Sequence, residues 1–321
     1  MNPLLQIKDL NVRFSMPDKD IFAVRDASLT LMKGSALGLV GESGCGKSVT
    51  AFSILRLIYP PGKIESGKIV FKDRDILQLS RNEITDIRGK EIAMIFQEPM
   101  TSLNPVFKVG FQIAETIRHR LKKNRKVARE MAIELLNLVG IPNPSKRYNS
   151  FPHELSGGMK QRVMIAIALS ASPSILIADE PTTSLDVTIQ AQILDLLEQL
   201  QEEKNMSLLL ITHDLGVVAN AVDFVAIMYA GEIVEYGSVK DLFQNPLHPY
   251  TISLFKAIPK IGENRSKLPT IPGVVPVITS IQERCIFANR CDHFTDRCQQ
   301  NTIPLIDIGN NHHVKCINIG Y

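Results

Sequence analysis

The stretch GESGCGKS at residues 41–48 constrains this chain more than any other segment. It matches the pattern G-x-x-x-x-G-K-[ST] without a mismatch and follows the apolar run ALGLV, which is typical of a buried strand. Glycines in such a loop allow backbone N–H groups to point at phosphate oxygens, and the following helix presents its positive N-terminal end to the same anion. The segment therefore predicts a strand, a phosphate-binding loop and a helix, in that order.

The polar residues of this loop have distinct expected roles. Lys47 supplies a positive charge for the β- and γ-phosphates of a nucleotide, and the Ser48 hydroxyl is placed to bind Mg²⁺. Cys45 is interpreted as a small residue of the loop, with a redox-sensing role as the alternative. The expected nucleotide-binding segment comprises Gly41, Glu42, Ser43, Gly44, Cys45, Gly46, Lys47, Ser48 and Val49.

Strand-like and helical patterns alternate along the rest of the chain, which predicts an α/β fold. Short apolar runs at residues 36–41, 92–97, 174–180 and 208–214 indicate buried parallel strands. Residues 127–140 and 187–205 have the apolar spacing of helices. We expect a main domain at residues 1–245, with a helical subdomain at 98–165 inserted in it, and a proline-containing C-terminal extension at 246–321.

Two successive carboxylates close the apolar run at residues 174–180. Consecutive side chains of a strand point in opposite directions, so one carboxylate can serve Mg²⁺ while the other faces a water molecule beside the γ-phosphate. We assign Asp179 to Mg²⁺ and Glu180 to the general base.

Charge and hydropathy restrict the setting in which the chain works. Its net charge is +3, and the densest basic run, RHRLKKNRK at residues 118–126, is interpreted as solvated helix surface, so no nucleic-acid partner is expected. The N-terminal stretch lacks the pattern of a secretion signal, and the apolar stretch at residues 217–231 is interrupted by Asp223. We therefore expect a cytoplasmic protein whose membrane role, if any, uses partner chains.

Three further motifs give the chain a specific resemblance. LSGGMKQR at 155–162, SLD at 184–186 and ITHD at 211–214 follow the phosphate loop, with Gln97 between the loop and the first of them. In this order they resemble the ATP-binding cassette family. The resemblance implies a P-loop (RecA-like) ATPase core with an N-terminal antiparallel β region. It also implies that two cassettes pair head to tail, so that each ATP contacts the phosphate loop of one subunit and the serine–glycine signature of the other.

The same resemblance implies roles for individual residues. Gln97 would sense Mg²⁺ and the attacking water, and His213 would contact the γ-phosphate. Asp186 would lie at the subunit interface. Phe14 stands where the family has an aromatic side chain stacked on adenine, although a strand-core phenylalanine is an equal interpretation. The signature residues expected to contact ATP of the partner subunit are Ser156, Gly157 and Gly158.

Longer segments narrow the resemblance to one branch of the family. The stretches QEPMTSLNP (97–105), ADEPTTSLDVTIQAQI (178–193), MYAGEIVEYG (228–237) and NPLHPYT (245–251) resemble the ATPase subunits of oligopeptide and dipeptide import permeases, including nickel and glutathione relatives. The resemblance implies a peripheral protein at the cytoplasmic face of the membrane. Its implied partners are a second ATPase subunit, two transmembrane permease subunits that dock near residues 98–110, and an extracytoplasmic substrate-binding protein. A soluble, non-transport cassette ATPase is the more distant alternative.

Four of the five cysteines lie near the C-terminus, with the spacing C-x5-C-x6-C-x17-C formed by Cys285, Cys291, Cys298 and Cys316. Four thiolates suit an iron–sulfur cluster or zinc, although zinc modules generally contain a tighter cysteine pair; unligated structural cysteines are the third possibility. The family resemblance favours a 4Fe–4S cluster. Zinc remains the alternative, with His293, His312 or His313 as further ligands. The cysteine segment is expected to take no part in the ATP chemistry.

Overall fold

The computed structural model describes residues 2–97, 102–183, 185–257, 271–280, 284–299 and 303–319. The chain divides into two compact units. The first unit contains residues 1–32, 36–78 and 212–321, and the second contains residues 33–35 and 79–211.

The strands are β1 (Pro3–Ser15), β2 (Asp20–Met32), β3 (Ala36–Val40), β4 (Gly62–Phe71), β5 (Arg74–Asp75), β6 (Ile92–Ile95), β7 (Ile175–Asp179), β8 (Ser207–Thr212), β9 (Phe224–Tyr229), β10 (Glu232–Ser238), β11 (Ile306–Asp307) and β12 (His313–Val314). The helices are α1 (Lys47–Ile54), α2 (Arg81–Ile87), α3 (Val109–Leu121), α4 (Arg125–Leu138), α5 (Pro144–Arg147), α6 (Gly157–Leu169), α7 (Val187–Lys204), α8 (Leu215–Ala221), α9 (Val239–Gln244) and α10 (Pro249–Lys256). In the described parts of the chain, no helix is both long and apolar enough to cross a membrane.

The first unit begins with an antiparallel sheet in the order β2-β1-β4-β5. Along β1, the apolar side chains of Leu5, Ile7, Leu10 and Val12 are buried, because a strand directs alternate residues to the same face. A register shift between Ile7 and Leu10 moves the alternation by one residue, so Leu10 and Val12 face the same side as Leu5 and Ile7. The expected N-terminal antiparallel region is therefore present.

A second set of strands in the first unit carries the phosphate-loop segment. Strand β3 is parallel to β9, β9 is antiparallel to β10, and β10 continues through β12 to β11. The pairing of Tyr236 with His313 and of Glu235 with Val314 makes the C-terminal strands part of the same sheet as β3. The tail thus packs on the unit that contains residues 41–48, and its Phe287 belongs to the buried core there.

The second unit contains the parallel strands β6, β7 and β8, with β7 in the middle. All five residues of β7 are buried, as its sequence predicted for a central strand. Between residues 102 and 165 the described chain forms α3, α4, α5 and the first part of α6 and contains no strand. Most residues of the basic run at 118–126 are exposed, in agreement with its interpretation as solvated surface.

Candidate nucleotide-binding and hydrolytic residues

The loop between β3 and α1 requires glycine at two positions for steric reasons. Gly46 has a φ of 109°, and a Cβ atom there would lie 2.5 Å from the carbonyl oxygen of Ala23. A Cβ atom on Gly41 would overlap the carbonyl oxygen of Met228. Strands β2 and β9 therefore confine the loop, and side chains at these positions would displace it.

Lys47 is the first residue of α1 and is only 5% exposed. Its Nζ atom donates hydrogen bonds to the carbonyl oxygens of Gly41 and Glu42 at 2.7 and 3.0 Å. The ammonium group is therefore held against the start of the loop, where charge-assisted hydrogen bonds restrict its position. Thr50, which motif reasoning did not single out, donates from its hydroxyl to the carbonyl of Gly46 at 3.0 Å and supports the first turn of α1.

Cys45 is buried inside this loop. Burial raises the pKa of its thiol, and the charge of Lys47 offsets only part of that effect. A protonated, inaccessible thiol is a poor nucleophile, which agrees with the interpretation of Cys45 as a small packing residue.

In the second unit, the structure brings Gln97 and Glu180 together as hydrogen-bond partners. Gln97 Nε2 donates to Glu180 Oε2 at 2.9 Å, and the Thr183 hydroxyl donates to the same oxygen at 3.0 Å. The two donors restrict the orientation of the Glu180 carboxylate through one of its oxygens, Oε2. The contribution of Thr183 was not predicted, although its place three residues after the acid in ADEPTT is the signal that could have indicated it.

Asp179 and Glu180 occupy different environments, as their assignment to different roles requires. Asp179 is the last residue of β7 and is 2% exposed, whereas Glu180 is half-buried just beyond the strand. Glu180 has a φ of 44°, a left-handed conformation that turns the chain after β7, and its N–H donates to the carbonyl of Ile211 at 2.9 Å.

The predicted signature residues form the start of α6. Ser156 is the N-cap of that helix, and its side chain accepts a hydrogen bond from the N–H of Met159 at 3.4 Å. Ser156 and Gly157 are exposed, so this helix end is accessible from solvent. Asp186 caps α7 in the same way and is also exposed, whereas Ser184 lies outside the described residues.

The remaining predicted ATP-site residues lie at the ends of strands. His213 is exposed directly after β8. Phe14 is half-buried near the end of β1, where its ring packs so closely on Gly62 that a Cβ atom there would lie 2.6 Å away. Gly62 thus contacts the Phe14 ring, and the ring stays partly exposed.

None of the four tail cysteines is in a disulfide bond, and they interact electrostatically with one another. Burial, together with Cys298, Cys291 and Cys316, raises the pKa of Cys285 to about 11. The N–H of Cys285 also donates to the carbonyl of Cys298 at 2.8 Å. Among the described residues, however, no three histidine, cysteine or acidic side chains are placed as a metal-binding group. The expected iron–sulfur cluster therefore has no support from ligand geometry.

One of the histidines considered for zinc has another partner. Nε2 of His312 lies 2.8 Å from Oε1 of Glu235, and both side chains are buried. This pair attaches the β11–β12 hairpin to β10. His312 is thus engaged in holding the tail to the sheet, which argues against its use as a metal ligand.

The cysteine segment contacts the phosphate loop directly. Arg290, between Cys285 and Cys291, contacts the Glu42 carboxylate of the phosphate loop through both Nη atoms, at 2.7 and 3.0 Å. The two residues are 248 positions apart, so no local pattern could have predicted their contact.

Comparisons with known proteins agree with these features. The profile of the ABC transporter family matches residues 24–183, and that of the oligopeptide/dipeptide transporter C-terminal region matches residues 234–298. The oligopeptide transport ATP-binding protein OppD of Bacillus subtilis (strain 168) is 49% identical over 97% of this chain and 88% of its own length. The chain belongs to the ABC transporter family.

Other relatives of this ABC transporter chain support the same assignment. The dipeptide transport ATP-binding protein DppD of Escherichia coli (strain K12) is 46% identical over 98% of this chain and 96% of its own length. A dimeric, post-hydrolysis structure of the ATP-binding cassette MJ0796, bound to ADP and Pi, superimposes with a TM-score of 0.66 at 26% identity, covering 73% of this chain and 98% of that chain. The fold is that of an ATP-binding cassette with mixed α/β sheets, and the chain is an ATPase.

Proposed function

We propose that this chain is the ATP-hydrolysing subunit of an importer that takes up oligopeptides or dipeptides through transmembrane partners. The observation that carries the proposal is similarity to peptide-transport ATP-binding proteins over nearly the whole chain, including the C-terminal region matched at residues 234–298. The same ATPase role in nickel or glutathione import is the alternative substrate assignment.

ATP and Mg²⁺ are the expected ligands of the predicted site, and the residues present fit them. We assign Lys47, which already directs its ammonium group at the start of the loop, to the β- and γ-phosphates. The loop N–H groups between residues 41 and 49 bind phosphate oxygens, Ser48 and Asp179 bind Mg²⁺, and Phe14 contacts the adenine.

Hydrolysis is assigned to the hydrogen-bonded group around Glu180. Its carboxylate takes a proton from water as the water oxygen forms a bond to the γ-phosphorus, and the bond to the β–γ bridging oxygen breaks to release ADP. Gln97 and Thr183 orient the carboxylate through its Oε2 atom. His213 is assigned to the γ-phosphate.

A second cassette completes the proposed assembly. The start of α6 comprises the exposed Ser156 and Gly157 and the half-buried Gly158. It offers N–H groups and a hydroxyl to the γ-phosphate of ATP bound by that partner, and Asp186 is assigned to the interface. The partner is either an identical chain or, as the resemblance favours, a sister ATPase. ATP then stabilises the closed pair by binding it more tightly than the open form.

The second unit offers an apolar surface for the membrane subunits. Phe107 and Phe111 are 45% and 41% exposed and their ring centroids lie 5.2 Å apart, while Val106 is 70% exposed. Exposed apolar side chains grouped in this way are typical of a contact surface. We assign this surface, here called the phenylalanine patch, to docking on a permease at the cytoplasmic face of the membrane. The predicted docking residues 98–101 lie outside the described residues.

Purification of the tagged chain from its native membrane tests the proposal. We expect two permease subunits, a second cassette and a substrate-binding protein to copurify, and ATP hydrolysis by the reconstituted complex to be stimulated by peptides. The variant Phe107→Glu/Phe111→Glu should lose the permeases without unfolding, because both rings are exposed. Arg118→Glu changes an exposed residue of α3, the helix that carries Phe111, and is the control. Stimulation by nickel or glutathione but not peptides would favour the alternative, and absence of any membrane partner would contradict transport.

A 4Fe–4S cluster bound by Cys285, Cys291, Cys298 and Cys316 is the cofactor that we propose for the tail. Its support is the resemblance to peptide-permease ATPases together with the four tail cysteines, since four thiolates can hold such a cluster. Anaerobically purified protein should be brown and contain iron and acid-labile sulfide in equal amounts, and Cys298→Ser should lose both. Cys45→Ala is the control, since it removes a cysteine outside the tail. Colourless wild-type protein with stoichiometric zinc would contradict the cluster.

A further inference from the structure

The Arg290 side chain joins the cysteine segment to the phosphate loop. It is 7% exposed, and its two Nη atoms donate to the two carboxylate oxygens of Glu42 at 2.7 and 3.0 Å. This parallel arrangement fixes both the distance and the orientation of a carboxylate, which a single ammonium group does not do. Arg290 therefore both neutralises and orients Glu42.

Several contacts hold Arg290 in this position. Its Nε donates to the carbonyl of Pro272 at 2.7 Å and its Nη2 to the carbonyl of Ile271 at 3.3 Å. The guanidinium also lies 5.6 Å from the centre of the Tyr229 ring. With its donors directed at fixed acceptors, the side chain presents a preorganised positive group to the loop.

Aromatic packing anchors the segment that carries Arg290. Phe287, three residues earlier, is 1% exposed and contacts the rings of Tyr229 and Tyr250 at centroid distances of 5.1 and 5.4 Å. Tyr250 also accepts a hydrogen bond from the N–H of Glu42 through its hydroxyl at 3.0 Å. The cysteine segment thus holds the Glu42 side chain through Arg290, and α10 holds the Glu42 main chain through Tyr250.

Glu42 is also connected to the lysine of the phosphate loop. Its carbonyl oxygen accepts the hydrogen bond from Lys47 Nζ at 3.0 Å. A carboxylate in a loop that receives a polyphosphate opposes binding, because like charges repel in a partly desolvated site. The guanidinium of Arg290 offsets that charge.

We propose that Arg290 is a positioning residue for nucleotide binding: it neutralises and orients Glu42, and so makes the phosphate loop bind ATP more tightly. The C-terminal segment thereby takes part in the ATP site from outside the cassette motifs. This inference rests on the proposed binding of ATP at residues 41–49.

The full-length chain tests the proposal through ATP dissociation constants and steady-state kinetics. Arg290→Ala should raise the Kd and KM for ATP about tenfold, because it leaves the Glu42 carboxylate without its partner, while kcat at saturating ATP changes little. Adding Glu42→Gln to Arg290→Ala should restore most of the lost affinity. The loss of ATP affinity in Arg290→Ala should also become smaller as ionic strength rises, since salt screens the repulsion between the Glu42 carboxylate and the phosphates.

The rescue separates positioning from a role in folding alone. If Arg290 served folding alone, Arg290→Ala would lower the melting temperature, and Glu42→Gln would not restore the ATP affinity of that variant. An unchanged Kd for ATP in Arg290→Ala would overturn the proposal outright. If Arg290→Ala does not fold, Arg290→Lys keeps the charge but loses the paired hydrogen bonds, and it should raise Kd by a smaller factor; wild-type affinity in that variant would also overturn the proposal. Failure of the wild-type chain to bind ATP would instead contradict the proposed function.

Discussion

Replacing Glu180 with Gln should lower the rate of ATP hydrolysis by about 10²- to 10⁴-fold, the usual contribution of a general base, while ATP binding is retained. The amide has nearly the same shape as the carboxylate and keeps an oxygen that can accept the hydrogen bonds of Gln97 and Thr183. It cannot take a proton from water at neutral pH. The substitution therefore removes the chemistry of Glu180 and preserves its surroundings.

Single-turnover hydrolysis by the assembled transporter measures the expected loss of rate. The ATP dissociation constant of the chain measures whether binding is retained. Glu198→Gln is a matched control because Glu198 is an exposed glutamate on α7, and it should hydrolyse ATP at the wild-type rate. Hydrolysis by Glu180→Gln within about threefold of wild type, well short of the general-base contribution, would show that another group activates the water.

Local patterns predicted the parts of this fold whose causes are local. The apolar runs ALGLV and ILIAD appear as β3 and β7 because each is short, continuous and fully buried. The loop between β3 and α1 was predicted from its motif, because glycine allows the turn that the chain makes there; Gly46, for example, has a φ of 109°. In both cases a few neighbouring residues contain the physical reason for the structure.

The unpredicted features depend on residues that are distant in sequence. Gln97 and Glu180 meet because β6 and β7 are parallel neighbours, and motif order suggested the pair without indicating that Thr183 joins it. The contact of Arg290 with Glu42 requires the tail to return to the phosphate loop. Cysteine spacing likewise could not distinguish a cluster from zinc, because spacing alone does not define how four thiols are arranged.

Lys47→Ala should weaken ATP binding by roughly 100-fold, since a hydrogen bond to a charged group contributes about 1.5–3 kcal/mol. The Lys47 ammonium is buried and held by the carbonyls of Gly41 and Glu42, so little further ordering is needed when it donates to a phosphate. Lys68→Ala removes an exposed lysine from β4 and is the control for loss of one positive charge. Isothermal titration with ATP would measure both variants, and wild-type affinity in Lys47→Ala would contradict the assignment of the loop.

The Lys47 and Arg290 variants should differ in their response to Glu42→Gln, because the two cations act on ATP by different routes. Lys47 donates to the phosphates directly, so neutralising Glu42 cannot replace the lost hydrogen bond and should recover little affinity. Arg290 acts by offsetting the Glu42 charge, so the same substitution should compensate for most of its loss. Equal rescue of the two variants would mean that net charge in the loop, and not the position of either cation, determines ATP affinity.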